Sequence, residues 1–424
     1  MRILVGTGDT AGITYELTKG FRSLRLKADS LIRGQNKFYK NTHTYTFNFS
    51  TISRWIEIDS IGNSLLRTGL KLIERLISFS GILLCMPLFI IRYTHIIIVS
   101  VDSTLLYRLD LPVLNFLGKK LEFFCVGSDV RHLSAFHQEV GGDLSTWEEV
   151  FKKRDINWNI RNIREAESYG NTIFSVPDQS GLALRPYYHA QLPIDVSRYK
   201  FEIQENEIPK ILHAPSRTGA KGTDRILATL DQLKADGYQF SCILLKGVPN
   251  QVVLDSLTSA DILIDEIYAH GPSKLAFEAM ASGCAVANRF YKGSFQNALP
   301  PICHIDENNL FEPIKKLITD KAYRQQLAKE GRAYVETYQT KEVVAQRMLA
   351  IIKQGGPYDY YPTFFLRKYR LPSGSVVKSR YLHLGKKIIL EYGAASIDDV
   401  RRGIKEKLIA SFTEEELARV KLWN

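Results

Sequence analysis

The stretch HAPSRTGAKG at residues 213–222 sets two cations, Arg217 and Lys221, close together among glycine and proline. A planar guanidinium can hold a diphosphate in a fork, and an ammonium adds a point charge, so the pair suits a pyrophosphate. Further along, DEIYAHGPSKLAFE at 265–278 offers a second anion-facing device. Gly271 permits close backbone approach, Pro272 suits the first turn of a helix, and the N–H groups at Ser273 and Lys274 then point at a phosphate or sugar. Glu278, deeper in that helix, can accept hydrogen bonds from both hydroxyls of a ribose, and His270 can hydrogen-bond a sugar. Gly247, in KGVP, marks a third loop whose backbone is placed to contact a base.

These groups act together only if the fold brings their loops to one edge. Strands are expected over 210–213, 240–245, 261–265 and 285–287, separated by helices over 223–236, 251–257 and 273–281. Such alternation demands a parallel sheet covered by helices on both faces, and ligands of an open α/β sheet bind outside the carboxyl ends of its strands. The first half opens in the same way. MRILVGTG reads as a strand, 10–24 as a helix and 28–32 as a strand, with Gly8 and Gly12 in the turn facing the cleft. After an aperiodic region at 35–70, expected to be irregular and to border an acceptor site, order resumes. Strands at 95–101, 121–125 and 172–176 alternate with helices at 105–117 and 145–168. Asp129 and Arg131, in GSDVR, would line the cleft. Asp129 can orient an acceptor or cap its own loop. The polar segment 193–208 separates the halves, giving domains at 1–195 and 196–355. A tail at 356–424 is expected to pack back on the first domain.

The chain has 424 residues, 45% apolar and 24% charged, which suits two folded domains. Its five cysteines are scattered among apolar neighbours without metal-ligand spacing, and read as buried thiols of a reducing compartment. The opening strand is too short for a signal-peptide core. The uncharged segment 76–91 falls short of the roughly 20 residues of a span. It is expected as a buried helix, with an interfacial helix as the alternative. Net charge is +11, and residues 353–387 hold eight Lys or Arg against one acid, Asp359, interleaved with aromatics. Such a strap suits an anionic lipid surface, a nucleic acid, or simply a solvated domain surface. Ser396-x-x-Asp399 and Thr413-x-x-Glu416 fit helix-starting capping boxes.

The stretches HAPSRTGAKGTDRILATLDQL and ADILIDEIYAHGPSKLAFEAMASGCAVAN resemble the donor domain of the family 4 type of retaining glycosyltransferases. LDLPVLNFLGKKLEFFCVGSDVR resembles the acceptor domain of bacterial polysaccharide-assembling members. The resemblance covers about residues 1–355 and implies an α/β protein of GT-B architecture, two Rossmann-like domains facing a cleft. It further implies a nucleoside-diphosphate sugar donor, a glycan or lipid-linked acceptor, and neither metal nor other cofactor. Arg217 and Lys221 match the cations that hold the diphosphate, and Glu278 the second glutamate of an E-x7-E element, which holds the ribose. Two positions depart from the pattern: His270 stands where the first glutamate is usual, and Val126 where His is frequent. The protein is expected in the cytoplasm, peripheral at the membrane face, with no nucleic-acid partner.

Two other readings compete. Gly6-x-Gly8-x-x-x-Gly12 resembles a dinucleotide fingerprint with Asp29 downstream, but the third glycine is one position late and Asp29 precedes the core of its strand. A non-catalytic GT-B scaffold is the second, motivated by Val126 and His270.

Overall fold

The computed structural model describes residues 1–33, 41–47, 60–101, 104–106, 108–127, 129–140, 156–177, 181–290 and 298–423. Its first sheet is built from β1 (Arg2–Thr7), β2 (Lys27–Ile32), β3 (Tyr45–Thr46), β4 (His95–Val99), β5 (Lys120–Cys125), β6 (Thr172–Ser175) and β7 (Tyr188–His189). All pairings are parallel, in the order β3-β2-β1-β4-β5-β6-β7. The interleaved helices are α1 (Ile13–Ser23), α2 (Ser64–Arg92), α3 (Asp110–Phe116), α4 (Leu133–Val140) and α5 (Ile156–Tyr169).

Successive side chains of a strand leave on opposite faces, and the apolar runs RILV and HIIIV fill both. Ile3, Val5, Ile97 and Val99 pack with Ile13, Leu17 and Phe21 of α1. Leu4, Ile96 and Ile98 pack with Ile82, Met86 and Phe89 of α2, Leu111 and Leu114 of α3, and Ile160 and Ile163 of α5.

The second sheet comprises β8 (Lys210–His213), β9 (Ser241–Leu244), β10 (Ile262–Ile264), β11 (Ala285–Asn288) and β12 (Cys303–His304), also all parallel, in the order β12-β11-β10-β8-β9. Its helices are α6 (Thr218–Lys221), α7 (Thr223–Ala235), α8 (Asn250–Leu257), α9 (Lys274–Ser282), α10 (Phe311–Thr319) and α11 (Lys321–Tyr338). The next helix, α12 (Lys341–Gln354), returns to the first domain, where Val344, Ala345 and Met348 join the core around α1. Residues 341–354 therefore pack with the first sheet, although the alternation of elements groups them with the second. Contact is close enough to require glycine: a Cβ on Gly20 of α1 would lie 2.1 Å from the Lys341 carbonyl oxygen. Asp195 accepts from Lys19 of α1 at 3.0 Å and Lys341 of α12 at 2.6 Å, pinning the linker between the domains.

The tail forms α13 (Phe364–Arg367), α14 (Ser379–Tyr392), α15 (Ile397–Lys405) and α16 (Glu414–Ala418) on the first domain. Phe364, Phe365, Tyr369 and Ile388 enter the core that holds α2 and α5. Phe364, Phe365 and Tyr369 of the strap are thus structural. Many of its cations are paired within the fold, Arg367 with Asp399, Arg370 with Glu406, Arg380 with Glu165 and Lys386 with Glu416. Thr413 and Glu416 form a full capping box, whereas Asp399 donates only its N–H to Ser396 and spends its carboxylate on Arg367.

Helix α3 and segment 76–91 differ from their sequence reading. Helix α3 starts only at Asp110, because that carboxylate accepts the N–H groups of Leu105 and Leu106 at 2.9 and 3.1 Å and holds them in a loop. Of the helix expected over 145–168, the part from Ile156 is described and 145–155 lies outside the described residues.

Segment 76–91 departs furthest from the buried helix expected of it. It belongs to a helix of 29 residues, capped by Asn63, whose Oδ1 accepts from Leu65 and Leu66. Most of its apolar side chains face outward rather than into a core. Among the described residues α2 is the helix long and apolar enough, by length and composition, to cross a membrane. Of the expected irregular region 35–70, residues 35–40 and 48–59 lie outside the described residues, and the rest contains β3 and the start of α2.

Candidate functional site

In the second sheet β9 and β10 lie on either side of β8, so the direction of winding reverses between β8 and β10. A crevice opens at such a reversal, flanked by the loops that leave the two strands. The loop after β8 carries Arg217 and Lys221, and the loop after β10 runs from Asp265 to α9.

His213 fixes the first loop. It is fully buried, and its Nδ1 lies 2.8 Å from the Ile264 carbonyl, which can only accept. Nδ1 is therefore protonated, and Nε2 accepts from the Thr223 hydroxyl at 2.9 Å. Burial lowers the pKa of this imidazole and keeps it neutral. Gly222 joins α6 to α7 at φ 72°, and a Cβ there would lie 2.3 Å from Ile267 Cγ1, so only glycine fits. This close seat puts Lys221 against Asp265, with which it forms a buried ion pair. Burial opposes its charge, but Asp265 and Glu266 hold the ammonium above its ordinary pKa. Arg217, by contrast, is exposed.

The crevice is a cavity of about 520 Å³ lined by Arg217, Lys221, Gly247, Glu266, Ser273 and Lys274, with Ala11 contributed by the first domain. A second cavity of about 300 Å³ continues between the domains. There Thr10, Ala11, Val126, Gly127 and Arg131 of the first domain face Glu266, Gly271, Pro272, Ser273 and Lys274 of the second. Glu266 lines both. Burial raises its carboxyl to about 7, against the pull of Lys221. Sequence reasoning missed this residue. Its signal was its place as the second acid directly after an apolar strand, in a motif already marked as ligand-facing.

The domains are tied beside the site. Ala11 adopts a left-handed conformation, φ 52°, and its carbonyl accepts from Lys274 Nζ at 2.7 Å. Gly12, at φ 76°, caps α1, and the Gly8 carbonyl accepts from Thr14 Oγ1 at 2.5 Å. The turn at 8–12 thus reaches the cavities through Thr10 and Ala11, while Gly8 and Gly12 shape it.

Other sequence-marked residues stand back. Asp129 is a loop cap: its carboxylate accepts from Val101 N at 2.9 Å and Gly127 N at 2.8 Å, and it does not line either cavity. The carboxylate expected to orient an acceptor is committed to the backbone, because a buried turn at that strand end needs its N–H groups satisfied. Arg131, from the same motif, does reach the second cavity and stacks over Phe136 at 4.4 Å.

His270 is buried with its ring edge-on to Phe136, centroids 4.3 Å apart, and lies behind rather than on the cavity wall. Glu278 is 1% exposed and likewise lines neither cavity. Its Oε1 accepts from the Tyr199 hydroxyl at 3.1 Å, and its Oε2 finds no hydrogen-bond partner among the described residues. Burial raises its pKa. Among the described residues no group of three His, Cys, Asp or Glu side chains is placed to hold a metal ion.

Neither a protein-family model nor a curated protein sequence matches the chain. Solved structures do. Sucrose-phosphate synthase from Thermosynechococcus elongatus superposes with a TM-score of 0.52 at 12% identity, covering 84% of this chain and 99% of the other. HepE of Anabaena, in complex with UDP, gives 0.51 at 11%, covering 83% and 100%. An alpha-glucosyltransferase in complex with UDP and DNA gives 0.51 at 12%, covering 84% and 99%. The chain thus has the α/β GT-B fold, two parallel-sheet domains facing a cleft.

Proposed function

We propose that this protein is a glycosyltransferase that moves a sugar from a nucleoside-diphosphate sugar to a glycan or lipid-linked acceptor in cell-surface polysaccharide assembly. The observation that carries the proposal is the cavity at the winding reversal, with Arg217 and Lys221 on one wall and the Ser273 end of α9 on another. A diphosphate there meets two cations and a helix N-terminus. Structures sharing this fold hold UDP or UDP-glucose, which supports the same ligand class here.

In the proposed reaction the bond between sugar and diphosphate breaks, and Arg217, Lys221 and backbone amides stabilise the charge that grows on the leaving group. With retention of configuration, the acceptor oxygen bonds to the anomeric carbon on the face the diphosphate leaves, and the leaving diphosphate takes the acceptor's proton, so no protein base is needed. The chemistry assigned to the chain requires no metal. Glu266, at the junction of the two cavities, is placed to hydrogen-bond sugar hydroxyls as donor or acceptor, since its carboxyl changes state near neutrality. Arg131 faces the same junction from the acceptor side. The site lies in the cytoplasm on this reading, where nucleotide sugars are made.

The withdrawn positions of His270 and Glu278 favour a second reading, a non-catalytic GT-B subunit that binds nucleotide without turning it over. Donor hydrolysis and transfer across a nucleotide-sugar panel separate the two. Turnover that Arg217→Ala lowers supports the transferase, whereas nucleotide binding with no turnover of any donor supports the subunit.

A further inference from the structure

Helix α2 carries two apolar faces. Ile82, Met86 and Phe89 form the stripe packed on the sheet. Leu65, Leu72, Leu76, Leu84, Leu88 and Ile91 fall on the opposite side, within an arc of about 160° at 100° per residue. All six are exposed, Leu84 at 79% and Ile91 at 81%. Helix α3, which packs into the same core as α2, also exposes Val113 and Phe116, the latter at 89%. The two helices end side by side, for Lys119, just past α3, donates to the carbonyl of Tyr93, just past α2, at 3.1 Å. The core-facing stripe of α2 already satisfies the fold, so a second continuous apolar stripe marks a contact outside it.

The rim of this face is cationic. At the end of α2, Arg2, Arg22, Lys27 and Arg92 surround a surface cavity of about 410 Å³. Asp29 is the one acid among its lining residues, shared by Arg22 at 3.2 Å and Arg92 at 3.5 Å. Exposed Lys120 adds to the same edge.

We propose that this face docks on an anionic lipid bilayer, with α2 lying in the interface plane and the basic rim engaging phosphate headgroups. The buried stripe fastens the second half of α2 along the sheet, and Arg67, Lys71 and Glu74 interrupt its first half, so the helix lies on the membrane and does not cross it. A second copy of the chain fits less well, because its cationic rim would meet its own like, whereas anionic lipid complements it. Helix α2 hands over to the amino end of β4 and so runs antiparallel to the strands. Its start therefore points toward the sheet edge that holds the cleft.

The test is flotation of the full chain with phosphatidylcholine vesicles, with and without phosphatidylglycerol. The wild type is expected to float with the anionic vesicles. Leu84→Glu, Ile91→Glu and Phe116→Glu combined should weaken partitioning by at least about tenfold, since binding scales with the apolar area inserted. Arg2→Gln with Lys27→Gln should weaken it about fivefold per charge. UDP-induced thermal shifts should be unchanged in both, which separates this surface from the donor site. Wild-type protein that fails to float, or a triple variant that floats equally well, overturns the proposal. So does a lipid-free, concentration-dependent dimer that the triple variant abolishes without any vesicle binding.

Discussion

The cleft wall of the second domain and the outer face of the first are built on opposite principles. At the cleft, charged groups are drawn inward and held by specific partners: Lys221 by Asp265, Lys274 by the Ala11 carbonyl, Glu278 by Tyr199. On α2 and α3, leucine, isoleucine and phenylalanine are turned outward, exposed among the described residues. A buried charge is costly unless paired, and an exposed apolar stripe is costly unless covered. Each surface therefore departs from the rule for a plain globular protein, and the departures point to different ligands, a polar anion and an apolar sheet of lipid.

The largest effect is expected at Lys221. Lys221→Ala leaves Asp265 buried without its cation, and should cost about 3–5 kcal/mol of stability as well as nucleotide affinity. Chemical denaturation checks the first. Arg217, the exposed partner cation, should behave differently. Arg217→Ala should leave stability within about 0.5 kcal/mol and weaken UDP binding by roughly 10- to 100-fold, the worth of charge-assisted hydrogen bonds to phosphate. If neither variant weakens UDP binding, the cavity is not a diphosphate site.

Glu266 gives a smaller, pH-dependent effect. Burial raises its carboxyl to about 7, so it is neutral below that pH and charged above it. A charged Glu266 repels a diphosphate in the same cavity. UDP affinity should therefore fall as pH rises from 6 to 8, by several-fold up to about tenfold, and Glu266→Gln should flatten the profile. Asp195 runs in the other direction. Although burial opposes it, hydrogen bonds from Lys341, Ser197 and Lys19 hold its carboxyl below the ordinary range. Its contribution to stability is present above the unfolded value near about 4 and is lost as pH falls below it. The difference in Tm between wild type and Asp195→Asn should therefore shrink in acid. Smallest of all, Phe116→Glu should change stability by no more than about 0.5 kcal/mol, since its side chain covers nothing.

The sequence made the cleft wall legible because its parts are contiguous. HAPSRTGAKG and DEIYAHGPSKLAFE each lie at the end of a clear apolar strand, and the parallel sheet brings such ends together. It did not show which side chains turn into the crevice. Helical position alone could not foresee that Glu278 would meet Tyr199, from a linker far away in the chain, nor that His270 would be drawn against Phe136 of the other domain. Asp129 was ambiguous for the same reason, since cap and acceptor ligand look alike until the backbone N–H groups around the carboxylate are seen. Segment 76–91 misled in another way. Sixteen uncharged residues read as core, but periodicity does not say which of two apolar faces meets the sheet, and Phe364, Phe365 and Tyr369 of the basic strap went into the core instead.

On the proposed function, the crevice between β8 and β10 holds a nucleoside diphosphate through Arg217 and Lys221. Calorimetric titration of the wild type and Arg217→Ala with UDP and GDP, beside NADH, tests it most directly. Saturable binding of at least one diphosphonucleoside is expected, weakened by roughly 10- to 100-fold in the variant, with none of NADH. Binding of NADH alone, or diphosphonucleoside binding equally tight in the variant, would contradict it.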